Sequence, residues 1–298
     1  MTHPRDLVAG AVARLADGGV ESPEHDARAL LAFVVGVDHG RLPLVREVTR
    51  EQVAAYDALV ERRAAREPLQ HLTGIAHFRH VELQVGPGVF VPRPETELLA
   101  GWATEQAKGM VSTSSTDGAG SADGAGSTGA PVVVDLGTGS GAIAKAIAHE
   151  VPSAGVHAVE LEESAHAFAA RNLAGTGVDL RRGDLAEAFD DLVGRVDIVV
   201  SNPPYIPHEA WESVAVEVRD HDPDLALYAT GDGLDMIRVV EQRAALLLRP
   251  GGVVGVEHAD VQGAAAPAVF TASGRWDRVR DHEDLTGRPR FLTARLAR

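Results

Sequence analysis

The sequence feature that most limits the fold is an apolar strand pattern that ends in an acidic residue, meets glycines at every second position and then becomes helical. Residues 132–134 are valines and Asp135 comes directly after them. Gly137, Gly139 and Gly141 then lead into the helix pattern. Glycines let the backbone turn tightly and approach a ligand closely. A strand, a tight turn and a helix in succession indicate the start of an α/β fold.

Strand and helix patterns alternate from Pro131 to the end of the chain, which predicts a doubly wound α/β sheet. The strand patterns occupy residues 132–135, 156–160, 178–182, 196–201 and 253–257, and the helix patterns lie near 141–150, 163–174 and 233–248. Two more strand patterns, at 276–280 and 291–294, flank a Gly/Pro turn. They predict an antiparallel pair at one edge of the sheet.

Residues 5–67 carry a helical pattern instead. Ser22 before a proline is typical of a helix N-cap, and Thr49 three residues before a glutamine is typical of a capping box. The segment therefore predicts a small helical bundle. Three arginines lie on the far side of its last long helix, away from the apolar residues: Arg62, Arg63 and Arg66. They could contact an acidic partner, but we expect a solvated helix face.

The pattern changes twice between these two regions. Apolar residues among glycines at 75–92 predict a β-hairpin, and a helix pattern follows from about 95 to 108. Residues 109–130 are mostly Gly, Ser, Thr and Ala, which cannot bury a core, so we expect a flexible insertion there. The predicted organisation is a helical domain at 1–74, a hairpin linker at 75–94 and an α/β domain at 95–298.

Composition disfavours several classes of function. The 28 Lys and Arg residues against 43 Asp and Glu give a net charge of −15, and so acidic a surface disfavours non-specific nucleic-acid binding. The chain has no cysteine, so it has no disulfide and no thiolate nucleophile. His71, His80 and His258 lack metal-ligand spacing, and we expect no metal site. No apolar run approaches the roughly 20 residues of a membrane span and no secretory signal begins the chain, so we expect a cytoplasmic protein without membrane contact.

Acidic residues lie at or just beyond the ends of the first three strand patterns. The G-x-G-x-G spacing with Ala142 differs from the pyrophosphate-binding G-x-G-x-x-G, and Asp135 suits a cationic group such as the ammonium of a methionine. Glu160 can accept both hydroxyls of a ribose. Asp184 can accept from an adenine amino group while Leu185 packs on the ring. Together these residues resemble a class I S-adenosyl-L-methionine (AdoMet) site.

The fourth strand pattern ends in Asn202-Pro203-Pro204-Tyr205. The prolines stop the strand and stiffen the backbone. The Asn202 side-chain oxygen and the Pro203 carbonyl can then accept both hydrogens of a planar NH2, and Tyr205 can lie on its face. Such a nitrogen is a poor nucleophile, and two acceptors orient it and bind it better as it becomes positive. The tetrapeptide indicates methylation of an amide or an exocyclic amine, with no general base required before attack.

Asn-Pro-Pro-Tyr is shared by methyltransferases that act on protein glutamine and by those that act on adenine or guanine amines, so it leaves both open. Three longer segments resemble the HemK/PrmC family, which methylates the glutamine of the Gly-Gly-Gln motif in peptide chain release factors. They are Glu-Pro-Leu-Gln-His-Leu-Thr-Gly at 67–74, Phe-Val-Pro-Arg-Pro-Glu-Thr-Glu at 90–97 and Ser-Asn-Pro-Pro-Tyr-Ile at 201–206. The resemblance extends to residues 284–291 and so covers nearly the whole chain.

The resemblance implies a helical domain that engages the release factor, a hairpin linker and a Rossmann-like, seven-stranded class I methyltransferase domain. It implies transfer of a methyl group from AdoMet to the glutamine N5, with S-adenosyl-L-homocysteine as product, by a monomer. It places the cofactor at Asp135, Gly137, Thr138, Gly139, Ser140, Gly141, Glu160, Asp184, Leu185 and Asn202. It places the glutamine at Asn202, Pro203, Pro204 and Tyr205, with Asn202, Pro203 and Tyr205 as the catalytic residues.

Two other functions stay open. A nucleic-acid amine methyltransferase would carry the same tetrapeptide, although the net charge of −15 weighs against it. A non-catalytic AdoMet-binding module would be expected to have lost residues 202–205. Within the family motifs, Arg93 and Glu97 either shape the roof of the site or form a structural pair, and Glu257-His258-Ala259-Asp260 replaces a more usual Glu-His-Gly.

Overall fold

A computed structural model of the protein describes residues 3–116, 129–207, 216–229 and 231–297. The chain folds into two compact units. Of the described residues, the first unit contains 3–75, 85–87 and 216–222, and the second contains the rest.

The first unit is helical, as predicted. Its helices are α1 (Pro4–Asp17), α2 (Pro23–Val35), α3 (Arg50–Ala64) and α4 (Leu69–Thr73), with a 3-10 turn at His39–Leu44. The predicted capping box is present, because the Thr49 hydroxyl accepts from the Gln52 backbone N–H and the Thr49 N–H donates to the Gln52 side chain. The core is built from fully buried side chains such as Leu15, Leu30 and Tyr56. The Tyr56 hydroxyl donates to the Ala27 carbonyl at 3.0 Å.

The predicted hairpin consists of β1 (Ile75–Phe78) and β2 (Val81–Gln84), which belong to the second unit from Ala76 onward, and α5 (Thr96–Thr116) follows. The elements that follow are β3 (Val132–Leu136), α6 (Ala142–Glu150), β4 (Gly155–Glu160), α7 (Glu163–Leu173), β5 (Asp179–Arg182), β6 (Val196–Ser201), β7 (Ile206–Pro207), α8 (Val216–His221), α9 (Asp224–Leu227), β8 (Tyr228–Ala229), α10 (Asp235–Leu247), β9 (Leu248–Glu257), α11 (Ala265–Ser273), β10 (Trp276–Glu283) and β11 (Pro289–Leu296). Of these, α8 belongs to the first unit.

Seven strands form one sheet in the order β10-β11-β9-β6-β3-β4-β5. The five strands from β9 to β5 are parallel, and β10 and β11 are antiparallel at the edge, which confirms both expectations for the sheet. The central strands are apolar on both faces, and Val133, Val134, Ile198 and Val199 have no exposed surface. Because β3, β4, β6 and β9 are parallel, their carboxyl ends lie at one edge of the sheet, where open α/β folds bind ligands.

Helix α5 is longer than the sequence pattern predicts. The helix continues to Thr116, so residues 109–116 are not part of a flexible insertion, and 117–128 lie outside the described residues. One face of α5 is completely buried at Ala100, Ala103 and Ala107. A single Gly109 costs only about 1 kcal/mol of helix propensity, which this packing offsets. None of the helices in the described ranges is long and apolar enough to cross a membrane.

Arg63 of α3 and Arg66, which follows α3, are also not on the solvated face that we expect from the sequence. Arg63 is only 7% exposed, and its guanidinium donates to Asp26 at 2.7 Å and to Glu217 of α8 at 3.3 Å. Arg66 donates to the other Glu217 oxygen at 2.6 Å. Only Arg62 is mostly in solvent, paired with Glu67. The helical pattern of residues 5–67 cannot predict these ion pairs, because Glu217 comes from a segment that is distant in sequence.

Candidate active site

The glycine turn after β3 is held against β4 and leaves open space above itself. The backbone N–H groups of Gly137 and Thr138 both donate to the Val159 carbonyl, at 3.1 and 2.9 Å. Gly137, Gly139 and Gly141 have φ values of 77°, 57° and 85°, which only glycine adopts freely. Apart from Gly139 and its two chain neighbours, no described residue has an atom within 4 Å of the position that a Cβ at Gly139 would take. A ligand can therefore approach the backbone at Gly139.

Asp135 lies directly beneath this turn and has no exposed surface. One carboxylate oxygen accepts from the Thr138 hydroxyl at 2.6 Å and from the Ala144 N–H at 3.2 Å. The other oxygen, Oδ1, has no hydrogen-bond partner among the described residues. Burial raises the pKa of Asp135 to about 7. A buried acceptor without a partner fits the expected ammonium group.

The side chains of Thr138 and Ser140 are turned into the protein. They are 7% and 3% exposed, and the Thr138 hydroxyl is engaged by Asp135. The Ser140 carbonyl accepts from Asn172 at 2.8 Å. These two residues therefore shape the glycine turn, and their backbone is what a ligand would meet.

Glu160 ends β4 beside the glycine turn. Its two oxygens accept from the Gly139 N–H at 2.8 Å and from the Glu162 N–H at 2.9 Å. Burial raises the pKa of Glu160 against these two hydrogen bonds. Each carboxylate oxygen has a second lone pair, so the fixed carboxylate can still accept from two neighbouring hydroxyls.

Asp184 and Leu185 follow β5 and behave differently from each other. Asp184 is exposed, and one of its oxygens accepts from the Ala186 N–H at 2.8 Å. Leu185 is 8% exposed and belongs to the main hydrophobic core. Its Cδ2 lies 3.7 Å from the position of a Cβ at Gly137, so Leu185 packs under the glycine turn.

The four residues Asn202 to Tyr205 leave β6 at the same edge. Asn202 donates through Nδ2 to the Thr96 hydroxyl at 3.2 Å. No hydrogen bond to Asn202 Oδ1 or to the Pro203 carbonyl is formed within the described ranges. The Tyr205 hydroxyl donates to Glu257 at 3.2 Å, and its carbonyl accepts from Gln262 at 3.2 Å. Among the described residues the turn thus presents two acceptors without partners, and its other polar groups fix it.

Three residues of this constellation have no role assigned from the sequence: Thr96, Glu257 and Gln262. Glu257 is 2% exposed, and burial raises its pKa to about 7 although Thr96, Arg290 and Tyr205 lower it. The sequence contains a feature that could have identified Thr96 and Glu257 as candidates. Thr96 lies within the motif at 90–97, and Glu257 is a carboxylate at the end of an apolar strand pattern.

Two other family-motif residues, Glu97 and Arg93, contact different neighbours. Glu97 accepts from the Arg79 backbone N–H at 3.0 Å, and Arg79 pairs with Glu150 at 2.6 Å. The Arg93 guanidinium lies over the Phe90 ring, 4.9 Å from its centre. No cluster of three or more potential metal-ligating side chains occurs in the portions of the chain that the structure describes.

Family models match two regions of the chain. The PrmC N-terminal domain model matches residues 6–74, and the methyltransferase small domain model matches residues 127–220. Among solved structures, the catalytic domain of hMettl16 in complex with a MAT2A 3′UTR hairpin aligns with a TM-score of 0.51. The two are 14% identical over 71% of this chain and 75% of that chain, which shows the fold alone.

Curated relatives match over most of the chain. The release factor glutamine methyltransferase of Streptomyces coelicolor is 54% identical, over 97% of this chain and 97% of that protein. That of Mycolicibacterium smegmatis is 44% identical over 100% of both. The 4-amino-L-phenylalanine/4-methylamino-L-phenylalanine methyltransferase of Streptomyces pristinaespiralis is 45% identical, over 73% of this chain and 70% of that protein.

Proposed function

Because this chain belongs to the release factor glutamine methyltransferase family, we propose that it methylates the side-chain nitrogen of the glutamine in the Gly-Gly-Gln motif of peptide chain release factors, with AdoMet as donor. The relatives with this name match over nearly the whole chain, the helical unit included. The aminophenylalanine methyltransferase matches over less of it. The match to residues 6–74 therefore favours a protein substrate over a free amino acid.

The observation that supports the chemistry most directly is the pair of free acceptors, Asn202 Oδ1 and the Pro203 carbonyl. In the proposed complex each accepts one N–H of the glutamine side chain, which fixes its nitrogen. Both acceptors interact more strongly as that nitrogen becomes positive, so they stabilise the transition state more than the ground state. Pro204 and Tyr205 hold the turn and close it from the side.

The residues around the glycine turn fit AdoMet. When bound, this cofactor supplies a methyl group on a positively charged sulfur and leaves as S-adenosyl-L-homocysteine. We assign Asp135 Oδ1 to its ammonium, the backbone from Gly137 to Gly141 to its methionine part, and Glu160 to its ribose. Asp184 accepts from the adenine amine, and Leu185 supports the ring from beneath the turn.

The methyl transfer needs no base that removes a proton from the glutamine nitrogen before it attacks. Asn202 and Pro203 would hold the glutamine nitrogen toward the AdoMet methyl group, which would be transferred to that nitrogen while the electron pair of the carbon–sulfur bond stays on sulfur. One of the two amide protons then leaves to water. The role of Asn202 and Pro203 is alignment and charge stabilisation, of which alignment supplies much of the rate.

The partner in this proposal is a release factor, engaged by the helical unit of a monomeric enzyme. We include a cytoplasmic location, because release factors act in translation. Direct recognition of nucleic acid has no part in it.

The test is a methyl-transfer assay with labelled AdoMet and a purified, unmethylated release factor, followed by peptide mass mapping. We expect one methyl group on the glutamine of Gly-Gly-Gln and none when that glutamine is replaced. Asn202→Ala should lower kcat by roughly 10²–10³, as for loss of one group that stabilises developing charge. AdoMet binding, measured by calorimetry, should remain.

Other outcomes would contradict the proposal. Label on ribosomal or transfer RNA and none on the release factor would support the nucleic-acid amine methyltransferase. Tight AdoMet binding without transfer to any release factor would support the non-catalytic module. Full activity of Asn202→Ala would refute the role of that side chain.

A further inference from the structure

A groove beside α5, on one face of the sheet, concentrates positive charge in an otherwise acidic protein. It has a volume of about 390 Å³, and Arg278 and Arg280 of β10 and Arg295 of β11 line it. Trp102 and Gln106 of α5 line it as well. None of the described residues that line the groove is an Asp or a Glu, although the sequence contains 43 of them.

The register of the two edge strands explains why the three arginines share one face. Asp277 pairs with Arg295, whereas Arg280 pairs with Thr293, so β10 has one residue more than β11 between these two pairs. In a regular strand, alternation would place Arg278 and Arg280 on the face opposite to Arg295. The extra residue reverses this alternation and brings Arg280 to the face of Arg295.

The backbone is strained at this bulge. Arg278 has a φ of 55°, in the left-handed region that residues with a side chain rarely adopt. Such strain is found most often where a ligand or a catalytic group needs it. Here it accompanies the assembly of three positive charges in one groove.

The guanidinium groups have few partners in the protein. Arg278 and Arg280 are exposed, and neither forms an ion pair or a side-chain hydrogen bond with the described residues. Arg295 donates only through Nε within these residues, to the Gly251 carbonyl at 3.0 Å. Like charges that share one groove repel each other, so an anion between them would be bound favourably.

The arginine-lined part of the groove is separate from the proposed methyl-transfer site. Arg295 pairs with Val253 of β9, whereas Phe291 pairs with Glu257 at the carboxyl end of the same strand. Four residues separate these two positions, which corresponds to about 13 Å along the strand at about 3.3 Å per residue. A ligand held by Arg295 and Arg278 therefore leaves the AdoMet site accessible.

We propose that this groove binds a small anion in which two or three phosphate groups are attached to an apolar part, as in a nucleoside triphosphate. A guanidinium binds two phosphate oxygens at once, and three of them suit a chain of phosphates. Trp102 and Val253 line the groove with apolar surface. Its volume also lies in the range of small-molecule sites, which is roughly 300–1,000 Å³.

The net charge of the protein favours a small ligand over a polymer. A nucleic acid or an acidic protein segment would extend beyond the groove and meet a surface on which acidic residues dominate, since the net charge is −15. A nucleoside triphosphate places its whole charge inside the groove. The proposal thus adds a second ligand site and does not depend on the proposed methylation of a release factor.

The test is calorimetric titration of the full-length protein with ATP in the absence of magnesium. We expect one ATP per chain, weaker binding of inorganic tripolyphosphate and the weakest binding of adenosine. Equal affinities of ATP and tripolyphosphate would refute the role of the apolar wall. Saturating S-adenosyl-L-homocysteine should leave the affinity for ATP unchanged. If it abolishes ATP binding instead, the nucleotide occupies the AdoMet site and the proposal is wrong.

Variants identify the groove as the site. Arg278→Gln and Arg280→Gln should each weaken ATP binding about 10- to 100-fold, the worth of one hydrogen bond between charged groups. Asp277 lines a neighbouring cavity that shares Arg278 and Arg295, so Asp277→Asn should strengthen binding roughly two- to fivefold. This gain in affinity cannot arise from a misfolded variant.

The matched control is Arg195→Gln, which removes an exposed arginine that precedes β6 and does not line the groove. It should leave the affinity for ATP unchanged. An equal loss in Arg195→Gln and Arg280→Gln would show a general effect of charge and overturn the proposal. Absence of ATP binding with a Kd below about 1 mM would overturn it as well. Because no release factor is present, neither result bears on the proposed methyl transfer.

Discussion

Two carboxyl groups at the site, Asp135 and Glu257, are buried without a salt-bridge partner in the described structure, and burial raises the pKa of each to about 7. Their ionised forms therefore destabilise the fold. Between the ordinary pKa of 3.8 for Asp135 and its value of about 7, the folded state holds a proton that the unfolded state has lost. The free energy of unfolding must fall as pH rises through this window, by about 4 kcal/mol for one such group.

Asp135→Asn removes that cost and should raise the unfolding temperature at pH 8 in the absence of AdoMet. At pH 4, where Asp135 is protonated, the variant and the unaltered protein should be alike. AdoMet affinity should fall about 10- to 100-fold, because a charged hydrogen-bond partner of the ammonium is lost. Calorimetric melting and titration measure both effects. Asp17→Asn, on an exposed turn of α1, is the control, and an equal gain from it would refute the argument.

At the scale of helices, a largely buried ion-pair cluster joins Asp26 of α2, Arg63 of α3, Arg66 just after α3 and Glu217 of α8. Arg63→Met should destabilise the helical unit by about 3–5 kcal/mol, because two carboxylates lose a buried partner. The half-exposed Arg62 gives the matched control, and Arg62→Met should cost less than about 1 kcal/mol. Hydrogen exchange of the α2 and α3 amides measures the difference, and similar protection in both variants would contradict the prediction.

Close packing between α5 and β9 depends on the absence of a side chain at Gly255. A Cβ there would lie 2.5 Å from Trp102 Cζ3 and 2.7 Å from Leu99 Cδ1. Gly255→Ala should therefore destabilise the second unit by about 1–3 kcal/mol in urea unfolding. Gly109→Ala, on α5 with nothing within 4 Å of its Cβ position, should instead stabilise by up to about 1 kcal/mol. If Gly255→Ala leaves the free energy of unfolding unchanged, α5 can move to make room for the added methyl group.

At this scale the sequence predicts well the features that depend on residues close together in the chain. The capping box at Thr49, the alternation that gives the sheet and the residues at its carboxyl edge all follow from local patterns. The length of α5 and the burial of Arg63 do not, because each depends on a partner from a distant segment. For the same reason Thr96 and Glu257 stand in recognisable motifs, yet only the fold brings Thr96 to Asn202 and Glu257 to Tyr205.

At the scale of the molecule, charge and fold lead to different expectations for nucleic acid. The hMettl16 catalytic domain, whose structure was solved in complex with a MAT2A 3′UTR hairpin, shares the fold of this domain. The net charge of −15 opposes phosphate over the surface as a whole. One groove of about 390 Å³ is an exception, since Arg278, Arg280 and Arg295 line it and none of them forms an ion pair within the described residues.

We expect the net charge to dominate, so that single-stranded RNA binds with a Kd above about 10⁻⁴ M at physiological salt, the weak end of non-specific binding. Fluorescence anisotropy between 50 and 200 mM salt measures both the affinity and its salt dependence. The Arg278→Ala/Arg280→Ala variant is the control for the groove. Tighter binding by the unaltered protein, falling steeply with salt and lost in this variant, would mean that local charge outweighs net charge. That result would identify the groove as a nucleic-acid-binding surface and support the nucleic-acid amine methyltransferase.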